Sequence, residues 1–118
     1  MPTKMLESFM IRDSTSMKDA IALIQKNESR CVVVLGNHRK AVGVFSEGDV
    51  LRAILEGVDI HTPLRNLIKP SFRYLHSRDL TAARKLILDG ITLVPILNQD
   101  FIVEDVLTLK DVFKNEVS

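Results

Sequence analysis

The sequence has no tryptophan, one tyrosine (Tyr74), one cysteine (Cys31) and almost no charge excess, and each shortage removes a class of function. A lone cysteine excludes an internal disulfide and fits a reducing compartment, so a cytoplasmic protein is expected. A net charge of +1 gives no global field to draw nucleic acid or an anionic membrane surface. So few aromatic rings also leave little on which bases can stack. No apolar run approaches the ~20 residues of a membrane span, and the amino terminus lacks a signal-peptide core. Neither nucleic acid nor membrane is expected as a partner. What is present is ordinary for a globular protein: 46% hydrophobic and 26% charged residues over 118 positions, one domain's worth of chain.

The chain repeats itself. Residues 9–34 line up on 72–97, matching Phe9 with Phe72, Ser14 with Ser77, Ala20 with Ala83, Leu23 with Leu86 and Ile24 with Ile87. After a one-residue slip, Val44, Ser46, Asp49 and Val50 fall on Val106, Thr108, Asp111 and Val112. Two copies of one supersecondary unit follow, each too small to bury its own core. A pocket built once is then built twice.

Each copy reads the same way. Ser16, with Asp19 three residues on, caps a helix whose Met17, Ala20, Ile21 and Ile24 share one face. Residues 31–35 form an apolar, β-branched run, predicted as a strand buried on both faces. Turn chemistry at Gly36-Asn37-His38-Arg39 leads to a second strand over 41–45, and a helix over 48–56 stops at Gly57. In the second half Asp79 caps a helix to Leu88, Gly90 ends it, strands cover 93–97 and 102–107, and a last helix runs over 109–114. Between the halves, Pro63 is predicted to open a helical turn at its favoured first position, and Pro70 to force an extended lead-in over 72–75. The predicted class is α/β (α+β): strand–helix–strand–strand–helix, twice, as one body. Residues 1–60 and 61–118 are the expected halves.

The chemistry lies where strand meets helix. Ser46-Glu47-Gly48-Asp49 and Thr108-Leu109-Lys110-Asp111 each present free backbone N–H groups and the positive end of a helix dipole, which suits an anion. A hydroxyl there can donate to a phosphate, and a carboxylate one turn later can accept from both hydroxyls of a ribose diol. The same S/T-x-x-D pattern is also a plain capping box that only satisfies orphan N–H groups. The motif alone leaves both open.

The whole chain from about residue 7 to 115 resembles a tandem pair of cystathionine-beta-synthase (CBS) domains, a Bateman module. The resemblance rests on residues 16–24 around Ala20, 31–35, and Gly43-Val44-Phe45-Ser46-Glu47-Gly48-Asp49-Val50. In the second copy it rests on 80–87 around Ala83, Leu93-Val94-Pro95-Ile96, and Val106-Leu107-Thr108-Leu109-Lys110-Asp111-Val112. It implies two pseudo-twofold-related βαββα repeats and adenosine-type ligands (AMP, ADP or ATP) in two clefts between them. Carried over, one cleft uses Ser46 and Asp49 with Phe72, Arg73, Tyr74, Thr92 and Leu93, and Arg52, one turn beyond Asp49, is placed to neutralise a phosphate there. The other uses Thr108 and Asp111 with Phe9, Met10, Ile11, Ser29 and Arg30. The first is expected to bind better, since Gly43 allows close approach beside it, whereas Glu104 and Asp105 stand at that place in the second.

The segment from Gly48 to Gly57, followed by Thr62-Pro63-Leu64, is similar to CBS pairs ahead of sugar-phosphate nucleotidyltransferase domains. The chain begins at a Met and ends soon after its last predicted helix, as a regulatory front end of such an enzyme would. A regulatory, allosteric module without a catalytic residue or a required cofactor is expected. The alternative is a structural module without a small-molecule ligand that docks a partner protein or dimerises through the helices carrying Ala53-Ile54 and Leu86-Ile87. A homodimer is expected in either case. His38, His61 and His76 lack the spacing of a zinc pair, so no metal site is expected. Cys31 reads as a small buried hydrophobe.

Overall fold

The structure, a computed structural model, describes residues 5–69 and 71–113. The Ser16 hydroxyl caps α1 (Met17–Asn27), accepting from the Asp19 N–H at 3.2 Å, and Met17, Ala20 and Ile24 form its buried stripe. Strand β2 (Cys31–Leu35) is buried along its whole length and pairs antiparallel with β3 (Ala41–Ser46). On its other side lies β1 (Met10–Arg12), parallel to it. Helix α2 (Glu47–Leu55) follows β3 directly. The second half supplies α3 (Leu80–Leu88), β4 (Leu93–Leu97), β5 (Val103–Thr108) and α4 (Leu109–Phe113). Gly57 and Gly90, with φ of 79° and 103°, take left-handed turns after α2 and α3 that a side chain would strain. The expected stop at Pro70 and helix end at Lys114 lie outside the described residues.

These elements form four layers. Val32, Val34 and Phe45 face α1 and α2. Val94, Ile96 and Leu107 face α3 and α4. Between the sheets, Cys31, Val33 and Leu35 meet Leu93, Leu97 and Val106. Alternate residues of one strand therefore serve two cores, as the period of two requires. The sheets also touch through an antiparallel bridge between Lys40 and Ile102, with the Ala41 N–H donating to the Phe101 carbonyl at 2.8 Å. Lys40 and Ile102 stand 62 residues apart, the same displacement as the hairpin pairs Cys31–Ser46 and Leu93–Thr108. Equivalent positions thus meet each other, which puts the pseudo-twofold axis at this bridge.

Two expectations need correcting. The second lead-in is a single rung: Leu75 donates to the Pro95 carbonyl at 3.0 Å and accepts from Leu97 at 2.8 Å. The next rung would need an N–H at residue 95, and proline has none. The register differs too. Ile11 pairs with Val34 and Leu75 with Ile96, so these lead-in residues are 64 apart, while the caps Ser16 and Asp79 are 63 apart. Met10 therefore corresponds to Tyr74, and the match of Phe9 to Phe72 does not hold in space. Burial agrees, because Met10 and Tyr74 both pack into the inter-sheet core.

Pro63, expected inside a helical turn, instead precedes the 3-10 turn Leu64–Asn66 in an extended conformation. There the linker is strapped to the first half, with the Met17 N–H donating to the Thr62 carbonyl and Leu64 fully buried beneath α1 and α2. Among the described residues no helix is long and apolar enough to cross a membrane.

Phe45, 1% exposed in the helix-side core, sets the scale of this packing. Phe45→Ala is expected to cost about 3–5 kcal/mol in denaturant unfolding. Leu55→Ala on the 86% exposed end of α2 should stay within about 0.5 kcal/mol of wild type.

Candidate functional site

The β3–α2 junction is a reciprocal cap. The Ser46 N–H and hydroxyl both donate to Asp49 Oδ2, at 2.8 and 2.9 Å, and Ser46 Oγ accepts from the Asp49 N–H at 3.2 Å. Arg52 pairs with the other oxygen, Asp49 Oδ1. At the β5–α4 junction the Thr108 N–H and hydroxyl donate to Asp111 Oδ2 at 2.9 and 3.0 Å. The capping reading of both motifs is thus realised in the geometry. It does not exhaust Asp49, because each carboxylate oxygen has two acceptor directions and the side chain is 28% exposed.

A groove opens between the halves at the first junction. It consists of two adjoining cavities of about 320 and 350 Å3, both lined by Val44, Arg73 and Ile91. The first adds Asp49, Arg52, Lys69, Ser71 and Phe72, against an apolar wall of Leu67 and Ile68. The second adds Ser46, Gly48, Arg30, Thr92 and Leu93. Of the residues expected in this cleft, Ser46, Asp49, Arg52, Phe72, Arg73, Thr92 and Leu93 come together. Tyr74 does not line either cavity. Its ring sits 5.3 to 5.4 Å from those of Phe72, His76 and Phe101 at the inter-sheet core.

Arg30, expected opposite Thr108, lines the Ser46 cavity instead. The cause is the hairpin register: Cys31 pairs with Ser46, so the residue before β2 lies beside the start of α2, where the Arg30 carbonyl accepts from the Glu47 N–H at 2.9 Å. Lys69, Ser71 and Ile91 were not anticipated. The signal for Lys69 was Gly43. A Cβ there would lie 3.3 Å from Ile68 Cβ and 3.4 Å from the Lys69 carbonyl, so glycine admits the linker backbone and not a ligand.

The second set is not gathered in the same way. Ser29 is 8% exposed, and its hydroxyl lies 2.9 Å from both Asn27 Oδ1 and the Cys31 carbonyl, inside a stapled loop. Phe9 and Met10 pack into the inter-sheet core and Ile11 against the α1 side. Asp105, feared as a repulsive charge, pairs with Arg78 at 2.8 Å.

The sequence model of the CBS domain matches residues 4–56. The chain contains a CBS domain. Its fold is similar to the CBS domains of a transcriptional regulator from Streptococcus pneumoniae, with a TM-score of 0.76 and 20% identity over 94% of this chain and 92% of that one. It is also similar to a CBS domain protein from Pyrobaculum aerophilum complexed with AMP, with a TM-score of 0.71 and 21% identity over 92% and 89%. At such identities the likeness is one of fold. A Helicobacter pylori protein is 36% identical over 76 residues, 62% of this chain, and the match spans 23% of that relative's length.

Cys31 of this CBS domain borders the groove, yet burial pushes its thiol from an ordinary 9.0 up to about 12, with the Asp49 charge adding to the effect. The unfolded thiol ionises first. Between about pH 9 and 12 this one group should therefore lower stability by about 1.4 kcal/mol per pH unit, and below pH 9 it should contribute no slope. Chemical denaturation of wild type and Cys31→Ala across that range checks this: the variant's profile should be flatter by that slope.

Proposed function

We propose that the chain is a regulatory module of two CBS repeats, residues 1–60 and 61–118, which senses an adenine nucleotide of the AMP, ADP or ATP type in the groove between them. The observation that carries this is that the cavities have walls from both halves: Ser46, Asp49 and Arg52 face Phe72, Arg73 and Ile91. A nucleotide has an apolar base, a diol and an anionic tail. The groove offers an apolar wall at Ile68 and Ile91, a carboxylate acceptor at Asp49, and cations at Arg52, Lys69 and Arg73. The AMP complex of the Pyrobaculum aerophilum protein supports the ligand class.

A ligand that touches both halves favours one spacing of them over another, and that difference in affinity is all it can transmit. The receiver is an attached or partner protein. Regulation of a sugar-phosphate nucleotidyltransferase in the cytoplasm, by a homodimeric module, is the context we favour. The Thr108/Asp111 cleft is the weaker site in this scheme, since Ser29, Phe9 and Met10 are committed to packing. No catalytic step is assigned to Asp49 or Asp111, which are held as fixed acceptors.

A second function, dimerisation without a small ligand, draws on one feature. Leu51, Ile54 and Leu55 of α2 are 58%, 52% and 86% exposed. Ala53 and Ile87, which were expected on such an interface, are instead buried in their own cores.

Titration calorimetry with AMP, ADP and ATP at millimolar ligand, beside light scattering, separates the two. Wild type should bind at least one nucleotide. Asp49→Ala should weaken it at least about tenfold while costing only ~0.5–2 kcal/mol of stability through the lost cap. Absence of heat, with unchanged oligomer size and melting temperature, would leave the dimerisation module standing and the sensor refuted.

A further inference from the structure

The segment joining the two halves carries more structure than a connection needs. Residues 60–65 run antiparallel to residues 13–18 and are tied to them by a ladder of backbone bonds. The Met17 and Lys18 N–H groups donate to the carbonyls of Thr62 and Ile60, at 2.9 and 2.8 Å. The Leu64 and Arg65 N–H groups donate to those of Thr15 and Asp13, each at 2.9 Å. Ser16 and Pro63 form an antiparallel bridge in the middle. Met17 and Lys18 open α1, where the helix itself supplies no acceptor, so their partners come from the linker. The second half lacks this arrangement: Leu80 and Thr81, at the equivalent positions of α3, have no backbone acceptor among the described residues.

The other end of the same segment is the groove. The Leu67 and Ile68 N–H groups both donate to the Leu64 carbonyl, at 2.8 and 3.0 Å, closing a tight turn on a fully buried residue. Leu67, Ile68 and Lys69 then line the cavity beside Asp49 and Arg52. Ile68 Cβ stands 3.3 Å from where a Cβ on Gly43 would be, so the turn is seated on β3 with no slack. The ladder lies at the opposite end of the first half. There the Asp13 N–H donates to the Leu35 carbonyl at 2.8 Å, whereas the groove adjoins Cys31, and β2 separates those two residues by roughly 13 Å.

We infer that residues 60–69 are a strap that moves as one unit and carries the position of the groove's wall to the amino terminus of α1. Leu64 is its pivot, since the turn toward the groove hangs from its carbonyl and its own N–H holds Thr15. A push on Ile68 is not absorbed locally, because a close-packed interior transmits displacement rather than compressing. It strains the ladder that ends at Met17 and Lys18. The exposed side chains there, Lys18, Asp59, His61 and Arg65, form a face on which an attached or partner protein can read the state of the groove. That use rests on the proposed sensor, whereas the strap is a property of the free protein and is tested without ligand.

The test is residue-resolved amide hydrogen exchange of the full chain in wild type, Gly43→Ala, Gly43→Val and Leu97→Ala. The Gly43 variants press on Ile68 from β3. Leu97→Ala instead opens a cavity in the core between the sheets, in which Leu64, Leu67 and Ile68 have no part. Gly43→Val should accelerate exchange at Met17, Lys18, Leu64 and Arg65 by one shared factor of about tenfold or more, and the milder Gly43→Ala by a smaller shared factor. Leu97→Ala should accelerate residues 32–34, whose amides exchange when the core opens, yet leave those four within about twofold of wild type. Gly43 variants that leave Met17 and Lys18 unchanged, or an equal acceleration of the four amides and residues 32–34 in Leu97→Ala, overturns the strap. Neither result bears on nucleotide binding, so failure of the strap and failure of the sensor are read in separate experiments.

Discussion

Strands β2 and β4 are apolar at every position, and water can be kept from both of their faces only if each is sandwiched. Helices cover one face of each. Among the described residues the other faces are covered in part by Leu6, Phe9 and Tyr74 and otherwise by each other, and a two-stranded ribbon such as β4–β5 is at best marginal alone. Cys31, Val33 and Leu35 therefore have to meet Leu93, Leu97 and Val106. From that contact follow the pairing of the halves, the bridge of Lys40 to Ile102 on the pseudo-twofold axis, and the groove. The groove lies beyond the edge of the inter-sheet core, where the start of α2 and the loop before β4 stand apart.

In the proposed sensor, stability and recognition draw on the same atoms at that edge. The Asp49 carboxylate closes the cap on α2 through Ser46 and holds Arg52 with its second oxygen. In the proposed sensor, a diol arriving at Asp49 would join or displace Arg52, and the freed guanidinium would then be available to the anionic tail in the same cavity. The ligand would thus exchange an exposed ion pair, worth little in water, for contacts that span two halves. Differential affinity between arrangements of the halves can arise from that exchange without a large movement.

Most of the fold was legible because buried strands and amphipathic helices leave their periods in the sequence. The alternation of Val32 and Val34 against Cys31, Val33 and Leu35 serves two cores, and the stripe of Met17, Ala20 and Ile24 marks α1. The errors fell where pairing overrode pattern. Pro95 withholds one N–H and shortens the second lead-in to Leu75. The three offsets between halves are set by connection lengths that similarity of Phe9 to Phe72 does not register. In the candidate site, the motif of Ser46 and Asp49 marks one wall of the groove, while Arg30 lines the same groove because Cys31 pairs with Ser46, a register that no local pattern shows. Gly43 was correctly suspected of close approach, yet its neighbour is the linker, which a sequence pattern cannot route.

The account stands or falls on the groove belonging to both halves at once. Amide hydrogen exchange with and without saturating ATP tests this directly. Slowed exchange should arise together at residues 46–49 in the first half and at residues 72–73 and 90–93 in the second. Protection confined to one half, or spread over neither junction, would contradict a shared seam as the place where this protein meets its ligand.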